Sequence, residues 1–260
     1  MLLVVDCGNT QTAIGLYEDP GGSPELVDHW RLSTNADRTS DELALLVQEF
    51  LGFHGYRFDK DVHGVAVSSG VPPVTAALRD MARRYFGDAP LVVIEPGVKT
   101  GMPILYEDPR EVGADRIANA VGALARFKPP IVAVDFGTAT TFDAITSKGE
   151  YAGGAIVPGI EISLDALYAR AARLFRVELT EPRRVIGKTT VESIQSGAIY
   201  GYSALVDGLV RRMEDELGTS TVVATGGLAG VIGPLCATIQ HLEPELTLHG
   251  LRIIFERNRP

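Results

Sequence analysis

Hydrophobic positions at the start of the chain fall in short runs rather than at helical spacing. Three of these runs, Leu2 to Asp6, Ala13 to Tyr17 and Leu26 to Leu32, read as strands. The stretch Pro20-Gly21-Gly22-Ser23-Pro24 supplies the turn between the last two. Beyond Ser40, a candidate N-cap, apolar residues recur at helical spacing through Leu43, Leu46, Val47, Phe50 and Leu51. A buried strand at Val62 to Val67, a helix opened by Pro72-Pro73 and running to about Phe86, and a strand at Leu91 to Ile94 follow. The order is β-β-β-α-β-α-β, and Glu95 to Arg110, rich in proline and glycine, reads as an irregular connection near a domain border.

The second half repeats the scheme. An amphipathic helix from Gly113 to Phe127, stopped by Pro129-Pro130, leads into strands at Ile131 to Asp135, Thr141 to Ile145 and Tyr151 to Ile156. A helix from about Ile160 to Leu174, a basic loop and a long helix from Thr190 to Leu217 come next, then a strand at Thr221 to Thr225 ended by Gly226-Gly227. Leu246 to Glu256 carries both strand-like and helix-like patterning. The pattern therefore predicts an α/β chain of two units, 1–112 and 113–260, related by duplication.

The duplication extends to a motif. Val5-Asp6-Cys7-Gly8-Asn9-Thr10-Gln11-Thr12 is echoed by Val134-Asp135-Phe136-Gly137-Thr138-Ala139-Thr140-Thr141, each copy closing an apolar run. A strand that ends in Asp-x-Gly and turns back through Asn and Thr makes a small anion cradle, because glycine admits a close backbone approach and amides and hydroxyls face outward. Two such cradles predict a nucleotide-using enzyme. Asp6 is the candidate for a Mg²⁺ carried on phosphate oxygens, with Asn9, Thr10 and Thr12 as phosphate donors. Cys7 reads as a small buried residue rather than a nucleophile. A second identical role for Asp135 would be redundant, so it is assigned either a different cation or the ordering of the second cradle, with Thr138 as that cradle's phosphate donor. Capped turns between strands are the bland alternative for Thr140 and Thr141.

Composition narrows the chemistry. The 260 residues are 45% hydrophobic and 22% charged, enough apolar surface for a core in each half. A formal net charge of −9 argues against nucleic acid as a partner. Two cysteines, Cys7 and Cys236, make no disulfide framework, and five scattered histidines lack the pairing a transition metal needs. The opening Met1-Leu2-Leu3-Val4-Val5-Asp6 has no basic n-region and no segment reaches membrane-spanning length, so a cytoplasmic protein without a membrane partner is expected.

Val112-Gly113-Ala114-Asp115-Arg116 opens the helix of the second half. Its acid and base could serve only the helix dipole and a surface pair. The functional alternative is that Gly113 clears space for a ligand, Asp115 accepts the proton of an attacking hydroxyl and Arg116 grips an anion. Gly153-Gly154 with Pro158-Gly159 reads either as a packing turn or as a floor of amides for substrate, and Gly226-Gly227 could admit a flat base.

Taken with Trp30-Arg31-Leu32-Ser33-Thr34, Gly97-Val98-Lys99-Thr100-Gly101 leading to Tyr106, Gln195-Ser196-Gly197 and Ala224-Thr225-Gly226-Gly227, these blocks resemble, in order and over nearly the whole chain, the type III pantothenate kinases of the sugar kinase and actin-like ATPase superfamily. The resemblance implies two actin- or ribonuclease H-like domains with a cleft between them, and phosphorylation of pantothenate by ATP on the way to coenzyme A. It implies that Asp6, Cys7, Gly8, Asn9, Thr10, Gln11, Thr12 and Ala13, with Thr138, line ATP. Tyr106, Gly113, Ala114, Asp115 and Arg116 would bind pantothenate, Asp115 being the general base. Asp135 would hold the monovalent cation, K⁺ or NH₄⁺, that accompanies Mg²⁺ in this family. Thr190 would touch pantothenate across a homodimer interface built largely by the long helix. A nucleotide or polyphosphate phosphohydrolase, or a catalytically silent nucleotide-binding regulator, are the alternatives. Gln11 and Thr189 stand where the family has Asn, and Phe175 where it has proline; Thr189 bears on the contact expected at Thr190.

Overall fold

The computed structural model describes residues 1–18 and 24–259; the expected turn at Pro20 to Ser23 lies outside them. The first sheet is built from β1 (Leu2–Cys7), β2 (Gln11–Glu18), β3 (Glu25–Ser33), β4 (Gly64–Ser69) and β5 (Leu91–Val93). Helices α1 (Ser40–Gly52), α2 (Phe58–Asp61) and α3 (Pro72–Tyr85) fall between these strands. The chain continues with α4 (Ala114–Arg126), β6 (Ile131–Phe136), β7 (Ala139–Ile145), β8 (Tyr151–Pro158), α5 (Ile160–Arg170) and α6 (Thr190–Leu217). It ends with β9 (Thr221–Thr225), α7 (Ala229–Ile232), β10 (His241–Leu242) and α8 (Leu246–Asn258).

Strand order bears out the duplication. The sheets run β3-β2-β1-β4-β5 and β10-β9-β6-β7-β8, so the second, read backwards, repeats the first strand for strand. In each, a three-strand antiparallel meander is extended by two parallel strands. Parallel strands need a crossover, and helices supply it.

By packing, the chain divides into one unit of 1–102, 107–122 and 246–260 and a second of 103–106 and 123–245. This division runs elsewhere than a cut at 112/113, because most of α4 and all of α8 join the first unit. In that unit Leu3, Val5, Cys7, Ile14 and Leu16 point from the sheet into a core closed by Leu43, Val47, Leu51, Val74, Leu78 and Met81 of α1 and α3. The opposite face of the sheet carries α8, packed on β1, β2 and β4. In the second unit Val132, Val134, Phe136 and Phe142 pack against Ala198, Ile199, Val206 and Val210 of α6.

Two local expectations are corrected and one open reading is settled. The N-cap of α1 is Thr39, not Ser40: the Thr39 side chain accepts from the Glu42 amide while the Glu42 carboxylate accepts from the Thr39 amide, a reciprocal capping box. α5 ends at Arg170 rather than near Leu174; only Ile160 of it is buried, so little packing sustains another turn. Leu246 to Glu256 is helix throughout. Its Leu-Thr-Leu-His alternation imitates a strand, but Leu246, Leu248, Leu251, Ile253, Ile254 and Phe255 are all buried, and a helix enclosed on several sides shows no single apolar stripe. The short β10 had no signal of its own. Among the described residues no helix is long and apolar enough to cross a membrane.

Candidate functional site

β1 alternates so that Val5 and Cys7 enter the core while Asp6, paired opposite Ala13, faces the other side at the strand's end. The chain then reverses through Gly8 to Gln11, with the Gly8 amide donating to the Gln11 carbonyl at 3.0 Å. Asn9, Thr10 and Gln11 are exposed at the tip. Thr12 is not: it is 3% exposed and its hydroxyl lies 2.8 Å from that of Thr34 and 3.5 Å from the Cys7 sulfur. The donors the turn offers outward are therefore Asn9 and Thr10 rather than the Thr12 hydroxyl. Beside Asp6 on the parallel strand sits Ser68, 1% exposed, whose hydroxyl has no hydrogen-bond partner. Sequence reading passed over Ser68, and only strand register brings it next to Asp6.

Two features set the start of α4. Asp115 is exposed in the first turn, its Oδ1 accepting from the Arg116 amide at 2.9 Å. A Cβ at residue 113 would stand 2.5 Å from that oxygen, so glycine at 113 is what lets the carboxylate occupy this place. Arg116 turns inward and is 6% exposed. The helix is seated on α8 by backbone contact: a Cβ on Gly250 would fall 1.8 Å from the Ala118 carbonyl oxygen, and one on Gly122 2.6 Å from that of Leu246. The Thr247 hydroxyl adds a hydrogen bond to Asn119 Oδ1 at 2.7 Å.

In the second unit Asp135 ends β6 as Asp6 ends β1, opposite Thr141 and beside Thr225. Two glycines shape its surroundings. A Cβ on Gly226, whose φ is +93°, would lie 2.4 Å from Asp135 Oδ1, and one on Gly137 3.5 Å from the same atom. The exposed Thr138 is anchored through its carbonyl, which accepts from the Gly159 amide at 3.0 Å. Tyr106 lies over Gly153, 3.5 Å from the place a Cβ there would take, and next to Tyr151 with ring centres 6.4 Å apart. The Tyr151 hydroxyl donates to the buried Asp143 at 2.8 Å.

The copies are not in the register that the sequence alignment gives. Thr12 pairs opposite Cys7, but it is Thr140, not Thr141, that pairs opposite Phe136, so the second turn is one residue shorter. Thr190 begins α6 and is exposed, while Thr189 caps it by accepting from the Glu192 amide at 3.1 Å. Threonine thus does here the capping that an asparagine could do.

No group of three or more His, Cys, Asp or Glu gathers among the described residues. The donors at both strand ends are single carboxylates with hydroxyls and backbone groups, a hard oxygen set. That set fits a Mg²⁺ that keeps phosphate oxygens and water as its other ligands, and it fits an alkali cation at Asp135, where Gly137 and Gly226 bring no side chain against the carboxylate.

Comparison with known proteins bears on what this arrangement does. The family model for type III pantothenate kinase matches residues 2–212. A type III pantothenate kinase of Streptomyces griseus is 52% identical over 265 residues, covering 99% of this chain and 98% of its own. One from an Anaeromyxobacter species is 55% identical over 260 residues and covers both chains completely. Among solved structures, a Campylobacter jejuni protein assigned to the Baf family of transcriptional activators superposes with a TM-score of 0.61 at 18% identity, covering 98% of each chain. A Listeria monocytogenes protein assigned as an N-acetylmannosamine kinase gives 0.53 at 11% identity over 99% of each. At such identities the superpositions speak to the fold alone, and it is the sugar-kinase type.

Proposed function

The chain belongs to the type III pantothenate kinase family, and on that premise we propose that it transfers the γ-phosphoryl group of ATP to the primary hydroxyl of pantothenate, the first step towards coenzyme A. Asp115 is the general base. It is exposed at the head of a helix locked by backbone contact to α8, with Gly113 leaving room at its oxygen, and this placement is the observation that supports the role. Phosphoryl transfer asks the protein mainly to orient the nucleophile, take its proton and stabilise spreading charge. Asp115 does the first two.

The Asp6 to Ala13 turn takes the ATP phosphates through Asn9, Thr10 and backbone amides, and Thr138 is assigned to the nucleotide as well. Tyr106, Gly113, Ala114 and Arg116 take pantothenate, the buried guanidinium of Arg116 answering the substrate's carboxylate. Mg²⁺ held at Asp6 and K⁺ or NH₄⁺ held at Asp135 would supply charge neutralisation at the phosphates. The protein acts as a homodimer in the cytoplasm, with Thr190 reaching the partner's substrate. Support for the dimer comes from exposed apolar side chains on the second unit: Ile156, Phe175, Val185 and Ile186 are 63%, 54%, 64% and 79% exposed. Gly197, Gly201 and Gly208 of α6 face open space.

A coupled assay of ADP release tests the reading. ADP should appear only with pantothenate and faster in K⁺ or NH₄⁺ than in Na⁺, and Asp115→Asn should remove turnover while Mg-ATP still binds. ADP release independent of pantothenate would point to a phosphohydrolase, and full turnover by the Asn variant would remove Asp115 from its role.

A further inference from the structure

The block Trp30-Arg31-Leu32-Ser33-Thr34 takes no part in the assignments above, yet its last residue is tied three times to the first cradle. The Thr34 amide donates to the Thr10 carbonyl at 2.9 Å. Its hydroxyl donates to the Gly8 carbonyl at 2.7 Å and lies 2.8 Å from the Thr12 hydroxyl. Each hydroxyl has one proton. With that of Thr34 committed to Gly8, Thr12 is the donor in the pair, and two hydrogen bonds in series run from the buried Thr12 hydroxyl through Thr34 to the backbone of the turn.

The second unit isolates what the side chain adds. There the matching amide, that of Gly159 after β8, donates to the Thr138 carbonyl at 3.0 Å, so the backbone anchor is kept. The hydroxyl is not. A Cβ at 159 would stand 2.2 Å from the Thr138 carbonyl oxygen, and Thr140, which faces Phe136 as Thr12 faces Cys7, has a buried hydroxyl with no hydrogen-bond partner. The shorter turn is held by close backbone approach. The longer turn, whose tip exposes Asn9, Thr10 and Gln11, has two threonine hydroxyls behind it instead.

A turn with three consecutive exposed residues loses conformational freedom when it closes on a polyphosphate, and that cost falls if the backbone is fixed beforehand. We propose that Thr34 is a positioning residue for nucleotide binding, its hydroxyl fixing Gly8, beside the Thr10 carbonyl that its amide holds, in the geometry that receives the phosphates. The proposal rests on the assignment of this turn to ATP and is independent of the identity of the phosphoryl acceptor.

The full-length protein with Thr34→Val, Thr34→Ser and Thr12→Val decides it, read by calorimetric binding of a Mg-bound non-hydrolysable ATP analogue and by kinetics. Thr34→Val should weaken analogue binding and raise KM for ATP about tenfold, the loss of roughly two hydrogen bonds. KM for pantothenate should stay within about twofold, Thr34→Ser should restore most of the affinity, and Thr12→Val should cost about threefold. A folded Thr34→Val protein that binds the analogue as wild type does would overturn the proposal. So would a lowered melting temperature with unchanged affinity in the folded fraction, or failure of both valine variants to fold, either of which makes Thr34 a residue of the fold only. Wild-type protein that binds the analogue but releases no pantothenate-dependent ADP would refute the kinase reading and leave calorimetry to decide Thr34. Wild-type protein that binds no nucleotide refutes both.

Discussion

Gly250→Ala should damage both the fold and the catalysis, and the size of the damage can be worked from the helix contact it interrupts. A Cβ at 250 would sit 1.8 Å from the Ala118 carbonyl oxygen, 2.6 Å from its carbon and 3.1 Å from its Cα. An ordinary contact begins at 3.4 Å, so the shortfall is about 1.6 Å. All three atoms are backbone of α4, and no rotamer change relieves the clash. The helices must separate, and cores packed to crystal density do not absorb such a shift. Overpacking commonly costs about 1–3 kcal/mol, and a backbone clash belongs at or above the upper end, about 3 kcal/mol. For a chain of this size that is a melting point lower by roughly 6–12 °C. Because Asp115 rides on the first turn of α4, kcat should also fall, by about tenfold to a hundredfold for an ångström of misplacement. Differential scanning calorimetry and steady-state kinetics measure the two effects. Gly52→Ala is the control: it is the same chemical change at a helical position with nothing within 4 Å, and it should be neutral or stabilising by up to about 1 kcal/mol. A Gly250→Ala protein melting within about 2 °C of wild type, with kcat intact, would refute the reasoning.

The remaining expectations concern separate parts of the chain. Burial pushes the Asp207 carboxyl up, but hydrogen bonds from the Ala237 and Thr238 amides and the Thr238 hydroxyl, with Arg211 nearby, more than offset this and hold it below the usual carboxylate range. A depressed folded pKa stabilises above the unfolded value of about 4 and is lost as pH falls through the folded one. Asp207→Asn should therefore cost about 1 kcal/mol in urea unfolding at neutral pH, partly screened by solvent, and nearly nothing in strong acid; an equal loss at both would show that the charge is irrelevant. Gly226→Ala, at φ +93° and with its Cβ 2.4 Å from Asp135 Oδ1, should raise the K⁺ concentration for half-maximal activity about tenfold, read by titrating KCl into the kinase assay. Ile186→Asp, at a residue 79% exposed, should shift the protein from dimer to monomer in sedimentation velocity, and a wild-type monomer at micromolar concentration would remove the dimer altogether.

Much of the fold was legible because its signals are local. α6 and β9 have the bounds that periodicity and the flanking glycines predict, Thr190–Leu217 and Thr221–Thr225. The meander of each unit was likewise readable from short apolar runs, which cannot be helices of useful length. α8 was not readable, since burial on several sides erases the stripe by which a helix is recognised. The cap of α1 differed by one residue because Thr39 and Ser40 are chemically equivalent candidates, and only the reciprocal bond with Glu42 separates them.

For the site the line falls in a similar place. The sequence by itself determined the duplication, the two strand-end carboxylates Asp6 and Asp135, and Asp115 at a helix start, since each is marked by residue type within a few positions of chain. Tertiary structure decided which way the side chains go. Strand register put the Thr12 hydroxyl into the core, set Ser68 beside Asp6 and shortened the second turn by one residue. Packing of α8 on α4 through Gly250 and Gly122 fixed the helix that carries Asp115, and the end of β3 brought Thr34 to the turn at Gly8. These are contacts between residues far apart in the chain, so their geometry depends on pairing and close packing that no local pattern encodes.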